Sequence, residues 1–435
     1  MRWPLVPLSD VAEVSGGSTP RSSEDRYWDG SIPWVTPTDL PMPGTEIADV
    51  YDTKDNITEQ GLSSISAPLL RPGAVLFSSR ASIGKVGIAR VPLATNQGFV
   101  NFSPRQLVDS KFLANCLQHF TPQIASLASS TTFREVSRGS IRKFKIPLPP
   151  LSEQRRIVEI LDQADALRRL RAEADAKAQR ILPALFLKMF GEGAANSSRW
   201  PSQKISQLAE QRRGSIRTGP FGSQLRHAEF ISEGVPVLGI DNVVTNRFRW
   251  ARVRCLPLER YDEFKQFRVL PGDVLITIMG TTGRVCVAPS DLPECMSTKH
   301  LCVITFDRSK IDPLYAWASI LHDPFVRQQV RTSGHGAIME GWNMGIVSSL
   351  RLRRPPIEQQ REFADLVLRL EKQRTHQENV DETLDELFSS LAHRAFSGEL
   401  TAKWREAHWE QLRAEMAEQA KLLNLSVPEA AKAHG

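Results

Sequence analysis

PPLSEQRRI at residues 149–157 returns as PPIEQQREF at residues 355–363, and this pair of stretches decides how the chain is built. A Pro-Pro pair cannot sit inside a helix, so each stretch marks a stiff approach followed by a helix start. Helical spacing follows both. Apolar residues fall at Ile157, Ile160, Ala164, Leu167, Ala174, Ala178, Ile181 and Leu185, and again at Phe363, Leu366, Leu370, Val380, Leu384, Leu387 and Leu391. Steps that alternate between three and four are those of a coiled-coil seam. Arg171 interrupts the first seam; Gln373 and Gln377 interrupt the second. Pro183 is expected to kink or restart the first helix near Leu182.

The repetition continues outward from these helices. Trp3-Pro4 matches Trp200-Pro201, and Ile32–Val35 matches Val235–Leu238. RPGAVLFSSRASIGKVGIA from Arg71 matches LPGDVLITIMGTTGRVCVA from Leu270, and LFLKMFGE from Leu185 matches LAHRAFSGE from Leu391. A period of about 200 residues means domain duplication, not a solenoid. Each copy opens with mixed strands and helices. Residues 74–79 and 273–278 read as strands after Pro-Gly turns, and small polar loops with glycine follow at 79–85 and 279–284. Asp109 and Asp312 are placed to cap helices over 109–127 and 312–330.

The expected fold class is α+β: two globular α/β domains separated by two long antiparallel coiled-coil spacer helices, with a pseudo-two-fold internal repeat. The expected segments are 1–150, 151–192, 193–356, 357–396 and a helical C-terminal extension at 397–435. Symmetric overlap of antiparallel seams sets Arg171 opposite Gln377, a polar layer that penalises slipped registers.

Composition narrows the function. The 435 residues are 41% hydrophobic, as in soluble globular proteins. No apolar run reaches the length of a membrane span, and MRWPLVPLSD is not a secretory signal, so a cytoplasmic protein is expected. The five cysteines form no CxxC pair, which argues against zinc sites and disulfides and for buried, reduced thiols. A net charge of +6 suits a polyanionic partner. Arginines crowd the second copy at 212, 213, 217, 226, 247, 249, 252 and 254, and their planar forks suit phosphates and guanine. No GxxxxGK[ST] loop, no GxGxxG after a strand and no HExxH motif is present. His300 and His335 have no acidic or thiol partner at useful spacing. Gly219–Ser223 reads either as a tight turn or as backbone that approaches DNA closely.

TGPFGSQL at 218–225, VPVLGIDNV at 235–243 and PGDVLITIMGTTGRV at 271–285 resemble the recognition domains of type I restriction-modification specificity subunits. PPLSEQRRIVEILD at 149–162 and PPIEQQREF at 355–363 resemble the start of that family's spacer helices, and FSGELTAKWRE at 396–406 is similar to its usual ending. The resemblance covers nearly the whole chain. It implies a non-catalytic subunit of a restriction endonuclease and DNA adenine methyltransferase complex. Each recognition domain would read half of an asymmetric bipartite site in double-stranded DNA, and the helices would act as a ruler. Two modification subunits and the restriction (translocase and endonuclease) subunits would be partners. S-adenosylmethionine, ATP and magnesium would belong to those partners, leaving no cofactor in this chain. The seam from Ile157 to Leu185 spans about 42 Å at about 1.5 Å per residue, comparable with one DNA turn of about 34 Å.

Candidate DNA contacts are polar loop residues at matching places: Ser79, Arg80, Ser82 and Lys85, with Thr132, Arg134 and Arg138; then Thr281, Thr282 and Arg284, with Lys299, His335 and Asn343. Arg217, Gln224, Arg226 and Arg247 add side chains able to pair with guanine or adenine edges. Two other readings stay open: a nuclease or transferase whose sparse site carries no motif, and a scaffold that binds only proteins.

Overall fold

The computed structural model describes residues 3–128, 134–191, 200–221, 224–251, 254–333 and 342–423. The chain divides into two compact units, Met1–Arg171 with Val380–Gly435, and Ala172–Asn379. Both are α+β. The boundaries between the units fall within the spacers.

The first unit holds β1 (Leu5–Pro7), β2 (Ala12–Gly16), β3 (Trp28–Val35), β4 (Ala48–Val50), β5 (Asn56–Ile57), β6 (Val75–Ser78), β7 (Val86–Ala89), β8 (Ala94–Thr95), β9 (Phe99–Pro104) and β10 (Lys145–Pro147). They make sheets of order β2-β9-β6-β7-β4 and β5-β3-β8, and the pair β1-β10. The second unit holds β11 (Ser202–Lys204), β12 (Ile216–Thr218), β13 (Val235–Leu238), β14 (Cys255–Leu256), β15 (Arg268–Val269), β16 (Val274–Thr277), β17 (Val285–Val287), β18 (Cys295–Ser297), β19 (Leu301–Ile304) and β20 (Arg351–Arg353). Its sheets run β12-β19-β16-β17 and β14-β13-β18-β15, with the pair β11-β20. The order β2-β9-β6-β7 therefore returns as β12-β19-β16-β17. The parallel pairing Trp34↔Ala94 returns as Val237↔Met296. Strands β6 (VLFS) and β16 (VLIT) are buried along their whole length, each ending on a buried hydroxyl, Ser78 or Thr277.

Helices α1 (Ser110–His119), α2 (Leu151–Ala178), α3 (Ile181–Phe190), α4 (Pro313–His322), α5 (Ile357–Ser397), α6 (Ala402–Ala407) and α7 (Trp409–Leu422) complete the parts needed below. The Asp109 carboxylate accepts from the backbone N–H groups of Lys111 and Phe112, and that of Asp312 from Leu314 and Tyr315. Both caps thus satisfy N–H groups that a helix start leaves open.

The repeated Pro-Pro stretch is held by a glutamine. Gln154 Nε2 donates to the Pro149 carbonyl at 2.8 Å, and its Oε1 accepts from Asp109 N at 2.9 Å. Gln360 does the same with Pro355 at 2.8 Å and Asp312 at 2.9 Å. Both glutamines are fully buried. One side chain therefore ties the start of each spacer to the capped start of the domain helix beside it.

Helix α2 stops at Ala178 and α3 restarts at Ile181, one residue before the expected Leu182. Pro183 falls in the first turn of α3, where its missing N–H costs no helical bond. One track of positions at least half-buried runs 157, 161, 164, 168, 171, 175, 178, 182, 185 and 189 in α2 and α3, and 360, 363, 367, 370, 374 and 377, then 384, 388, 391 and 395, in α5; other residues beside it, Ile160 and Leu366 among them, are half-buried as well. Every second position coincides with the expected seam, and those between fall one residue later. Leu167, Ile181 and Leu387 are accordingly 63%, 48% and 58% exposed, and Val380 also faces outward. Leu161 and Val367, packed into the domain cores, set this phase at the start of each spacer. The seam then carries Arg168, whose guanidinium lies 4.7 Å from the centre of the Phe388 ring, in preference to the apolar Leu167.

Inside the first unit, Leu161 shares a core with Leu391, Ala395 and Phe396, and Arg168 meets Phe388, so the two spacer segments there run antiparallel. Inside the second unit, Phe186 and Phe190 at the end of one spacer meet Phe363 at the start of the other. The first unit is closed by its C-terminal segment. The Glu153 carboxylate is buried, and it accepts from Trp3 Nε1 at 3.0 Å, Thr401 Oγ1 at 2.6 Å and Arg405 Nε at 2.8 Å. All five cysteines are free and buried. Among the described residues no helix is long and apolar enough to cross a membrane, and no acidic, histidine or cysteine cluster suits a metal.

Candidate nucleic-acid interface

The β6-β7 and β16-β17 turns repeat one polar frame in the two units. In the first, Ser78 Oγ donates to the Ser82 carbonyl at 2.6 Å and accepts from Lys85 N at 2.8 Å, while Gly84 N donates to the Ser78 carbonyl at 3.0 Å. In the second, Thr277 Oγ1 donates to the Thr281 carbonyl and accepts from Arg284 N at 2.9 Å, while Gly283 N donates to the Thr277 carbonyl at 2.9 Å. Gly84 and Gly283 adopt φ of +98° and +76°, a region that a side chain would strain. The hydroxyl and the glycine set the loop; the remaining positions are free to differ. They do differ: Arg80, Ala81 and Ser82 stand where the second copy has Met279, Gly280 and Thr281.

The structure sorts the candidate residues. Arg80, Ser82, Arg134 and Arg138 are exposed in the first unit. Gln224, Arg226, Thr281, Arg284 and Asn343 are exposed in the second, with Thr282 and Lys299 half-buried. Asn343 Oδ1 already caps a helix by accepting from Ile346 N at 2.9 Å, and Gln224 Oε1 accepts from Phe221 N at 3.1 Å. The Arg226 backbone N–H donates to Glu229 and is the main cause holding that carboxyl below its ordinary range. Thr132 and His335 lie outside the described residues.

Four candidates are corrected, for burial or for partners within the protein. Ser79 is buried, its backbone N–H bonded to the Gly98 carbonyl at 2.8 Å. Lys85 is 8% exposed, and its ammonium donates to the Pro37 and Leu40 carbonyls at 2.5 and 2.9 Å. Arg217 is 8% exposed. It pairs with Asp273 and donates to the Arg268 and Gly214 carbonyls and to Thr305 Oγ1. Burial pushes the Asp273 carboxyl up, opposed first by the Arg217 charge. Arg247 is held by Glu371 at 2.6 Å and Glu378 at 2.5 Å on the second spacer. Burial raises Glu378, but Arg247, Arg249 and Arg374 outweigh it and keep the carboxyl below its ordinary range.

One signal could have exposed the Arg217–Asp273 pair. The matching positions of the first copy are Ser15 and Ala74, so both members appear together or not at all. The Gly219 question also resolves locally. A Cβ there would sit 2.0 Å from the Ser297 carbonyl oxygen, and one on Gly17 of the first copy 1.9 Å from that of Asn96. The glycine is required by the protein's own backbone; Gly222 and Ser223 lie outside the described residues.

Comparison with known proteins adds the family. Residues 2–179 match the model of the type I restriction modification DNA specificity domain. The chain is 35% identical over 190 residues to the type I restriction enzyme MjaIX specificity subunit of Methanocaldococcus jannaschii, an alignment covering 43% of each chain and so under half of that relative's length. It is 23% identical to the EcoKI specificity subunit of Escherichia coli K12, over 99% of this chain and 96% of that one. A solved structure from work on complex assembly and conformational transition of the type I R-M system shares the fold, with a TM-score of 0.61 at 18% identity over 92% of this chain and 98% of that chain.

Proposed function

The chain belongs to the type I restriction-modification specificity subunits, whose domain occupies residues 2–179, and from that premise we propose that both of its units read DNA. The observation that carries this reading is the pair of β-turn loops at 79–85 and 278–284: one hydrogen-bonded frame, displayed twice, with different side chains. A duplicated frame with divergent contacts suits two unlike half-sites. The chain itself carries no chemistry under this reading. It directs adenine methyltransferase and endonuclease subunits, and S-adenosylmethionine, ATP and magnesium act on those partners.

The exposed arginines at 80, 134, 138, 226 and 284 are the base or phosphate contacts we favour, with Ser82, Gln224, Thr281, Thr282, Lys299 and Asn343 beside them. The paired spacers set the gap between half-sites, and Arg171 with Gln377 is the proposed polar layer that fixes their register. Changing both to leucine is expected to let the assembly accept more than one gap length.

The test is to assemble the full chain with its modification subunits and sequence the methylated adenines. An asymmetric two-part motif is expected; a palindrome would contradict two unlike readers. Incubating the pure chain with DNA and magnesium distinguishes the enzyme reading, which requires cleavage or modification by the chain alone.

A further inference from the structure

We infer that Glu135 holds Arg80 as a preset reader of guanine in the half-site of the first unit; this rests on the DNA-reading role proposed above. Arg80 stands in the β6-β7 turn, two residues past the end of β6. Its Nε donates to Glu135 Oε2 at 3.0 Å, and its Nη2 to Oε1 and Oε2 at 2.9 and 2.8 Å. The backbones are joined too. Arg80 and Glu135 form an antiparallel bridge, Ala81 N donates to the Arg134 carbonyl at 3.2 Å, and Val136 N to the Ser79 carbonyl at 2.9 Å. Ala81 is held at a φ of +59°, a conformation that an alanine adopts only when its surroundings impose it.

An exposed ion pair adds little stability, because water screens it. These side chains are 47% and 44% exposed, so the pair makes a poor brace for the fold. It does make a good brace for the arginine. Arginine has several rotatable bonds, and freezing them on binding costs affinity that a preset conformation saves. Glu135 occupies the Nε/Nη2 edge of the guanidinium. The opposite edge, Nη1 with the second Nη2 hydrogen, keeps the two parallel donors that O6 and N7 of guanine accept in the major groove. The carboxylate also disfavours a plain phosphate contact, since it repels a second anion close by. The matching place in the second unit holds Met279, which has no donor, so the same frame cannot read guanine there.

The experiment uses the full chain assembled with its modification subunits, methylating a library of randomised duplexes, with the base preference scored at every motif position. Arg80→Ala is expected to abolish the preference for one G·C pair in one half-site, a change of about tenfold or more for a bidentate contact. Glu135→Ala is expected to weaken the same position several-fold, and the double variant to match Arg80→Ala alone, because Glu135 acts through Arg80. Other positions and the melting temperature should hold. The inference is overturned if Arg80→Ala keeps the guanine preference, if the two effects add, or if every position weakens alike. A wild-type assembly that methylates without any two-part motif would sink the DNA-reading role itself, and this inference with it.

Discussion

The Lys85 ammonium supplies the donor that the buried carbonyls of Pro37 and Leu40 share. Lys85→Ala is therefore expected to cost about 1–3 kcal/mol, the penalty for orphaned buried acceptors, and to leave base preference unchanged; melting curves and motif scoring together check it. Arg217→Ser should cost about 3–5 kcal/mol by stranding the Asp273 carboxylate, and adding Asp273→Ala should recover most of the loss, since Ser15 and Ala74 already fill those places in the first copy. His119 and His322 end α1 and α4, where a helix dipole would favour protonation, yet burial lowers both, His322 to about 4. The folded protein then binds fewer protons than the unfolded chain. Stability from His322 is full above about pH 6.5 and is lost as pH falls toward about 4; His322→Gln should flatten that part of the melting-against-pH curve. Asp109 and Asp312 were legible as caps because capping is local. Lys85 and Arg217 were not, because burial depends on strands far away in sequence.

At the scale of elements, the spacers were legible in place and period but not in phase. Apolar counting favoured Leu167 over Arg168, whereas the heptad observed is set by Leu161 at the domain end and carried forward by geometry. Leu161→Ala is expected to destabilise the first unit by about 2–5 kcal/mol, while Leu167→Ala, at a position 63% exposed, should stay within about 0.5 kcal/mol. Equal losses in denaturant titrations would show the phase to be wrong. The restart at Ile181 was legible because proline leaves few options. The role of Gln154 and Gln360 was not: the motif displays a glutamine but not the carbonyl and N–H that it ties together.

For the whole molecule, the duplication could be read from matched strings, and the matching strand orders follow from it. Which helix segments join which unit could not be read so, because contact partners leave no periodic trace. If the spacers set the gap, removing one heptad from each, residues 168–174 and 374–380, shortens them by about 10 Å at about 1.5 Å per residue. The methylated motif should lose about three base pairs of gap at about 3.4 Å each; an unchanged gap would refute the ruler. The division of the chain also has a consequence in time. The second unit, Ala172–Asn379, is continuous, whereas the first needs Val380 onward. On a ribosome adding about 5–20 residues per second, the domain made first is therefore finished last. Until Phe396 and Arg405 emerge, Ile157 and Leu161 lack part of their cover and Glu153 lacks its cation. A released chain ending at residue 394 should carry a closed second unit and a protease-sensitive first one.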